Sequence, residues 1–194
     1  MTAGILIAAA GRGERFSQAG GEGNKLNAAF VDGAGQQRSL FEQTLRQALA
    51  SGLPVWVVTR PDNVQVQQIC ATYQVATTLL ASPGLGDSIA AGVNATPHWQ
   101  GWLIHLADMP FVTPTVFQRV ASALQQHAIV RPIFQQQPGH PVGFSALLRK
   151  QLCQLRGDNG ARELVKGQPV HLLPVEQPAV VQDIDLPSQL PVSE

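Results

Sequence analysis

An α/β sandwich of three layers, with helices on both faces of a mostly parallel sheet, is the fold this sequence predicts. Three observations carry that expectation. Short apolar runs recur along most of the chain, helical patterns separate them, and 194 residues suit a single domain large enough to bury its own core. The apolar runs cover residues 4–10, 54–59, 75–80, 102–107 and 129–134. Runs of this length without polar alternation are what strands buried on both faces require.

The elements follow in order. After the first run, residues 10–24 form a long loop with five glycines. Leu40, Phe41, Leu45, Ala48 and Leu49 then share one helical face, and Ser39-Leu40-Phe41-Glu42 is a capping box that starts the helix. Gly52 and Pro54 stop it. Gly84-Leu85-Gly86-Asp87-Ser88 precedes a helical pattern through Ile89 and Val93, with its short polar side chains placed to cap. Thr113-Pro114 opens the next helix, which continues through Val116, Phe117, Val120 and Leu124. Residues 135–141 read as a polar, hairpin-like connection, and residues 157–162 as a turn with Asp158 capping a following helix. Residues 180–185 alternate like a strand, which puts Asp183 and Asp185 on one face. Cys70 and Cys153 stand in separate helix-like segments, so neither a redox pair nor a thiolate zinc site can be written, and both read as buried small apolar residues.

Charge excludes whole classes of function. Lys+Arg number 13 and Asp+Glu 13, so the excess of cations that a broad nucleic-acid surface needs is missing. No apolar run approaches the roughly 20 residues that span a bilayer, and residues 1–4 lack the basic segment of a secretory signal. A soluble, cytoplasmic protein without membrane or nucleic-acid partners is the expectation. The neutrality is a cancellation: after Lys166 no Lys or Arg occurs, whereas Glu176, Asp183, Asp185 and Glu194 do.

Several residues have the chemistry to carry function. The first run leads through Ala8-Ala9-Ala10 into Gly11-Arg12-Gly13-Glu14-Arg15, with Lys25 beyond. Small residues let the backbone approach an anion, and Arg and Lys supply charge where a polyphosphate would sit; a plain surface loop is the alternative. The spacing is neither the dinucleotide fingerprint nor the triphosphatase loop. Asp108 ends a buried run and is the only carboxylate between Asp87 and Asp158. At the carboxyl end of a parallel strand it could hold Mg²⁺ through oxygen, or it could cap the turn that follows. Asp183 and Asp185 could bracket a divalent cation or face solvent from an edge strand. Asp87 or Ser88 could contact a nucleobase edge besides capping. His140, in Gly139-His140-Pro141, could meet an anionic substrate or be structural, Arg162 is a possible anion contact, and His105 reads as a hydrogen-bonded core residue.

In order and spacing, Ala8-Ala9-Ala10-Gly11 with Arg15 and Lys25, Gly84 through Ile89, Asp108-Met109-Pro110, Gly139-His140-Pro141, Gly157 through Arg162 and Asp183-Ile184-Asp185 resemble one family. It is the MobA-like NTP transferase (nucleotidyltransferase) family that includes the molybdenum cofactor cytidylyltransferases. The resemblance implies one domain over residues 1–194, Rossmann-like and nucleotide-diphospho-sugar transferase-like. It implies transfer of CMP from CTP to the phosphate of molybdenum-molybdopterin, with Mg²⁺ as cofactor and a molybdenum hydroxylase apo-enzyme as a further partner. By the same resemblance, Arg15, Lys25 and Asp108 are catalytic, Asp108 and Asp185 hold metal, and Ala8, Ala9, Ala10, Gly11, Arg12, Gly13, Asp87 and Ser88 join Arg15 and Lys25 around the nucleotide. Gly139, His140 and Pro141 lie toward the acceptor. Ala9-Ala10-Gly11 is similar to the cytidylyl branch, where the guanylyl branch has a Gly-Gly pair. The chain departs from the family in the long segment between Arg15 and Lys25 and in Leu186-Pro187-Ser188-Gln189 after Asp185. Guanylyl transfer, a sugar phosphate or methylerythritol phosphate acceptor, and a non-catalytic cofactor carrier are the alternatives.

Overall fold

The computed structural model describes residues 2–11, 24–32, 34–81 and 84–183; the expectations for Arg12, Gly13, Arg15 and Asp185 lie outside these described residues. In chain order the elements are β1 (Ala3–Ala9), a 3-10 turn (Lys25–Asn27), β2 (Ala29–Val31), β3 (Gln37–Ser39), α1 (Leu40–Ala50), β4 (Val55–Thr59), α2 (Val64–Thr72) and β5 (Ala76–Leu79). Then come α3 (Leu85–Ala95), β6 (Gly101–Leu106), α4 (Pro114–Ala123), β7 (Ile129–Phe134), β8 (Gln137–Pro138) and β9 (Val142–Ser145). A 3-10 turn (Ala146–Leu148), α5 (Arg149–Cys153), α6 (Arg162–Lys166), β10 (His171–Pro174) and a last 3-10 helix (Pro178–Val181) complete the described chain. All five apolar runs are strands, displaced by at most one residue at either end.

The main sheet is ordered β10-β7-β9-β6-β1-β4-β5, with β8 paired to β7. β1 pairs in parallel with both β4 and β6, β4 with β5, and β7 with β10, whereas β9 runs antiparallel between β6 and β7. The period of two along β1 separates the core into halves. Ile5 and Ile7 join Phe41 and Leu45 of α1, Val66 of α2 and Phe117 and Val120 of α4. Leu6 turns the other way, to Ile89 and Val93 of α3 and Leu152 of α5. Helices therefore cover both faces, the three-layer α/β arrangement that the sequence predicts.

Local chemistry explains the boundaries. Ser39 Oγ accepts from the Glu42 amide at 3.1 Å, the first half of the expected capping box, and Gly52 at φ +78° takes the left-handed turn that ends α1. Gln135 and Gln136, at φ 47° and 69°, make the tight turn between β7 and β8. Three expectations change. Thr113 does not cap α4, because its hydroxyl donates to Gln177 Oε1 at 2.9 Å and ties the helix start to the C-terminal segment. Residues 178–181 are 3-10 helix rather than the start of a strand: Pro178 occupies the first turn, and Val180 is fully buried. Cys153 is half-buried, whereas Cys70 is buried as expected, and burial pushes its thiol up to about 12.

From β1 the chain builds outward through β4 and β5, then returns across to place β6 on the other side of β1. The carboxyl ends of β1 and β6 therefore flank a topological switch point, where open α/β sheets form their ligand crevice.

Candidate active site

A cavity of about 180 Å³ opens at that switch point. Ala8, Ala9, Ala10 and Gly11 form one wall, at the end of β1, and Leu106, Ala107 and Asp108 form another, at the end of β6. Lys25, Leu26, Gly84, Leu85 and Ser88 close it. Among the described residues, none lies within 4 Å of a Cβ built at Gly11, which lines the cavity at the end of β1.

Lys25 reaches this cavity because its turn is anchored from both sides. Asn24 accepts from the Leu26 amide at 2.9 Å, and Leu26 is buried in the first core half. Lys25 Nζ donates to Asp108 Oδ2 at 2.7 Å, with the two side chains 13% and 16% exposed. Asp108 is fixed with equal care. The Met109 amide donates to the Leu106 carbonyl at 3.2 Å, closing a turn, while Thr44 of α1 donates to the Ala107 carbonyl at 2.7 Å. His105 Nε2 bonds the Met109 carbonyl at 3.2 Å, which makes Nε2 the protonated nitrogen, since a carbonyl only accepts. His105 is fully buried, edge-on to Phe117 at 4.9 Å, and burial pushes its imidazole down to about 4. It is the hydrogen-bonded core residue that the sequence implies.

The oxygen donors here suit a hard cation. Mg²⁺ is commonly held by one or two carboxylates together with substrate phosphates and water, so Asp108 in the wall of a small cavity fits an ion that arrives with a polyphosphate. Among the described residues no cluster of three or more His, Cys, Asp or Glu could hold a metal by itself. Asp183 is described in the segment after the last 3-10 helix, and its partner Asp185 is outside the described residues.

A second cavity, of about 540 Å³, shares Leu85 with the first. It lies between the second face of the sheet, at Ile104, Val142 and Phe144, and the helices α3 and α6. Its polar lining is Arg131, His140, Asp158, Asn159, Arg162 and Lys166. Burial, followed by the charges of His105 and Arg131, pushes the His140 imidazole down to about 3, so the ring is neutral at neutral pH. Gly139 and Pro141 do not line this space. Gly139 instead holds the loop: its amide donates to Pro132 O at 2.8 Å, its carbonyl accepts from Arg131 Nε at 2.9 Å, and a Cβ would strike the Val180 carbonyl. The His140 amide donates to that same Val180 oxygen at 2.8 Å.

Two motif blocks far apart in sequence meet beside α3. The Gly86 amide donates to Gly157 O at 2.8 Å, and Asp87 Oδ2 accepts from the Gly157 amide at 3.2 Å. Asp87 does not line the first cavity, whereas Ser88 does, with its hydroxyl donating back to Gly84 O at 3.4 Å. The helix α3 begins earlier than expected, at Leu85 with Gly84 as its cap residue, and the Asp87 carboxylate stands over that start, against Gly84. Asp158 does not cap α6; it lies in the wall of the second cavity. Sequence reasoning did not single out Arg131, although a cation inside an otherwise apolar strand was its signal.

Known proteins agree with this architecture. The family model described as MobA-like NTP transferase domain matches residues 5–174. Rv0371c from Mycobacterium tuberculosis H37Rv superposes with a TM-score of 0.81 at 22% identity, over 97% of this chain and 95% of that one. Its complex with manganese gives 0.76 at 21% identity, over 91% and 90%. A nucleotidyl transferase from Methanothermobacter gives 0.78 at 21%, over 97% and 94%. The 4-diphosphocytidyl-2C-methyl-D-erythritol synthase of Anaerococcus prevotii gives 0.71 at 17%, over 97% and 94%. No curated protein matches the chain. Since the matched span runs from β1 to β10 and so takes in the residues of both cavities, the chain belongs to the MobA-like NTP transferase family.

Proposed function

We propose that the protein is a cytidylyltransferase that moves CMP from CTP to the phosphate of molybdenum-molybdopterin, forming molybdopterin cytosine dinucleotide and releasing pyrophosphate. The observation that carries this reading is the Lys25–Asp108 pair, 2.7 Å apart at the switch point and facing Ala8 through Gly11 across one cavity. The triphosphate lies against the end of β1, and Lys25 stabilises charge on the α-phosphate and on the departing pyrophosphate. When bound, Mg²⁺ supplies positive charge to the phosphate oxygens, with Asp108 as its protein ligand. An acceptor phosphate oxygen approaching from the second cavity attacks the α-phosphorus; the bond to it forms as the α–β bond breaks, and no covalent enzyme intermediate is needed. Arg12, Arg15 and Asp185 belong to this reading through the family resemblance. A cytidylyl neighbour and a manganese-bound neighbour support CTP and a divalent ion, and the Gly139-His140-Pro141 block supports the molybdopterin acceptor. The enzyme is expected to act in the cytoplasm, upstream of a molybdenum hydroxylase.

The decisive assay follows pyrophosphate release with CTP or GTP, Mg²⁺ and the molybdenum-loaded pterin. CTP should be preferred, and Asp108→Ala should lower turnover by about 10²–10³-fold, the usual scale for losing a charge-stabilising group. Equal or greater turnover with GTP would overturn the cytidylyl assignment, and unchanged turnover in Asp108→Ala would overturn the role of the carboxylate.

A further inference from the structure

The second cavity contains a cation that the resemblance does not account for. Arg131 sits in β7, on the sheet face that carries Ile104 and Phe144, and lines the cavity with them. Its Nε is held by the Gly139 carbonyl at 2.9 Å, and no described residue engages its two terminal nitrogens. No described carboxylate pairs with it. Burial lowers the guanidinium from its ordinary value, so the position penalises the charge that the residue carries. Without a described counter-ion and bordering a cavity, this half-buried cation is placed to take an anionic ligand there.

The surrounding residues indicate the charge of that ligand. Among the described residues, Arg131, Arg162 and Lys166 share the lining with one carboxylate, Asp158. Lys166 is shared at 3.5 Å with the exposed Glu163, and Arg131 and Arg162 are the two arginines of the lining. His140, beside them, is neutral and adds no charge. A guanidinium fixed at Nε offers its terminal N–H groups as a fork that matches the oxygens of phosphate or carboxylate, and the transferase reading selects phosphate.

We propose that Arg131 is the anion-binding residue of the second cavity and that the ligand it takes there is a phosphate monoester, the phosphorylated end of the acceptor. This rests on the transferase reading, which it extends by naming a residue. It also gives Gly139 a physical role, because its carbonyl orients the Arg131 fork and its missing side chain lets the loop lie against the Val180 carbonyl.

Calorimetry with two independent titrations tests it. Phenyl phosphate and benzoate are titrated into wild-type protein, Arg131→Met and Arg131→Gln, each with excess CMP to fill the first cavity, and MgCTP is titrated separately into the same three proteins. Glutamine can still donate to the Gly139 carbonyl but carries no charge, so it separates anion binding from loop support. Wild type should bind phenyl phosphate and take benzoate far more weakly, and both variants should lose about tenfold or more in phenyl phosphate affinity, the scale of a lost charge-assisted hydrogen bond. MgCTP affinity should be unchanged within about twofold, since Arg131 does not line the first cavity. Failure of wild type to bind phenyl phosphate, equal binding of benzoate, or wild-type affinity in Arg131→Gln would each overturn the proposal. Failure of wild type to bind MgCTP would instead strike the transferase reading, and the phenyl phosphate result would still decide the role of Arg131.

Discussion

Gly86 illustrates how single residues set the site. Its amide bonds Gly157 O, and a Cβ there would lie 2.9 Å from the carbonyl carbon and oxygen of Arg156, backbone atoms that cannot swing aside. Gly86→Ala should therefore destabilise the fold by about 1–3 kcal/mol, the cost of overpacking a tight contact, measurable as a lower urea midpoint at an unchanged slope. A midpoint equal to wild type would mean that the loop at 156–157 yields freely. Residues differ in how openly the sequence displays them. Asp108 was legible because an acid ends a buried run in a carboxylate-poor stretch, and Lys25 because it follows a glycine-rich loop. The pairing of the two at 2.7 Å was not legible, since 83 residues separate them. The place of Asp87 at a helix start was legible because short acids favour that position; its bond to Gly157 was not, because it depends on a tertiary approach that two glycines allow.

At the scale of elements, α1 links a local signal to the site. Ser39 caps the helix, and one turn later Thr44 bonds both Leu40 O at 3.0 Å and the Ala107 carbonyl next to Asp108. Ser39→Ala should cost about 1 kcal/mol, the typical value of an N-cap, read as a lower midpoint in denaturant. Ser39→Asp should recover most of it, because a carboxylate accepts from the same amide. If Ser39→Ala left the midpoint unchanged, the cap would be shown to add nothing beyond the packing of Leu40 and Phe41. The strands were legible because parallel strands buried on both faces must be continuously apolar. The direction of β9 was not, since Val142 through Ser145 is short and its orientation is set by the hairpin before it and by pairing with β6. Residues 180–181 misled because adjacent apolar residues also suit a 3-10 turn that buries one side.

Across the whole molecule, two neutral histidines make stability depend on pH. His105 and His140 are held down to about 4 and about 3, while in the unfolded chain each would titrate near its ordinary 6.5. The unfolded state therefore binds protons first as pH falls, and stability present above about 6.5 is lost progressively down to the folded values. For fully buried His105 the loss should be about 1.4 kcal/mol per pH unit between roughly 6.5 and 4, with His140 adding in the same direction but less, because it borders a cavity. Urea midpoints measured from pH 7 to pH 4.5 should fall, and His105→Gln should flatten the slope. A pH-independent midpoint in wild type would show that these rings take up protons in the fold as readily as in the unfolded chain. Net charge is silent on all of this. The 13 cations balance the 13 anions overall, yet the two cavities differ: one pairs Lys25 with Asp108, and the other gathers Arg131, Arg162 and Lys166 around one carboxylate.

The reversed strand β9 has a consequence for how such a molecule can diversify. Because it runs against β6, with Val142 opposite Ile104, its beginning lies at the same edge of the sheet as the end of β6. The connection that enters it, Gly139-His140-Pro141, thus lies at the edge of the sheet where β6 ends, while the backbone between β6 and β7 is satisfied by β9 itself. Lengthening or rewriting that connection changes what lines the second cavity without altering any strand pairing of β1, β4 or β5. One half of the sheet can keep its pairing while the other is retuned, so that the second cavity can change shape and charge through a single short loop.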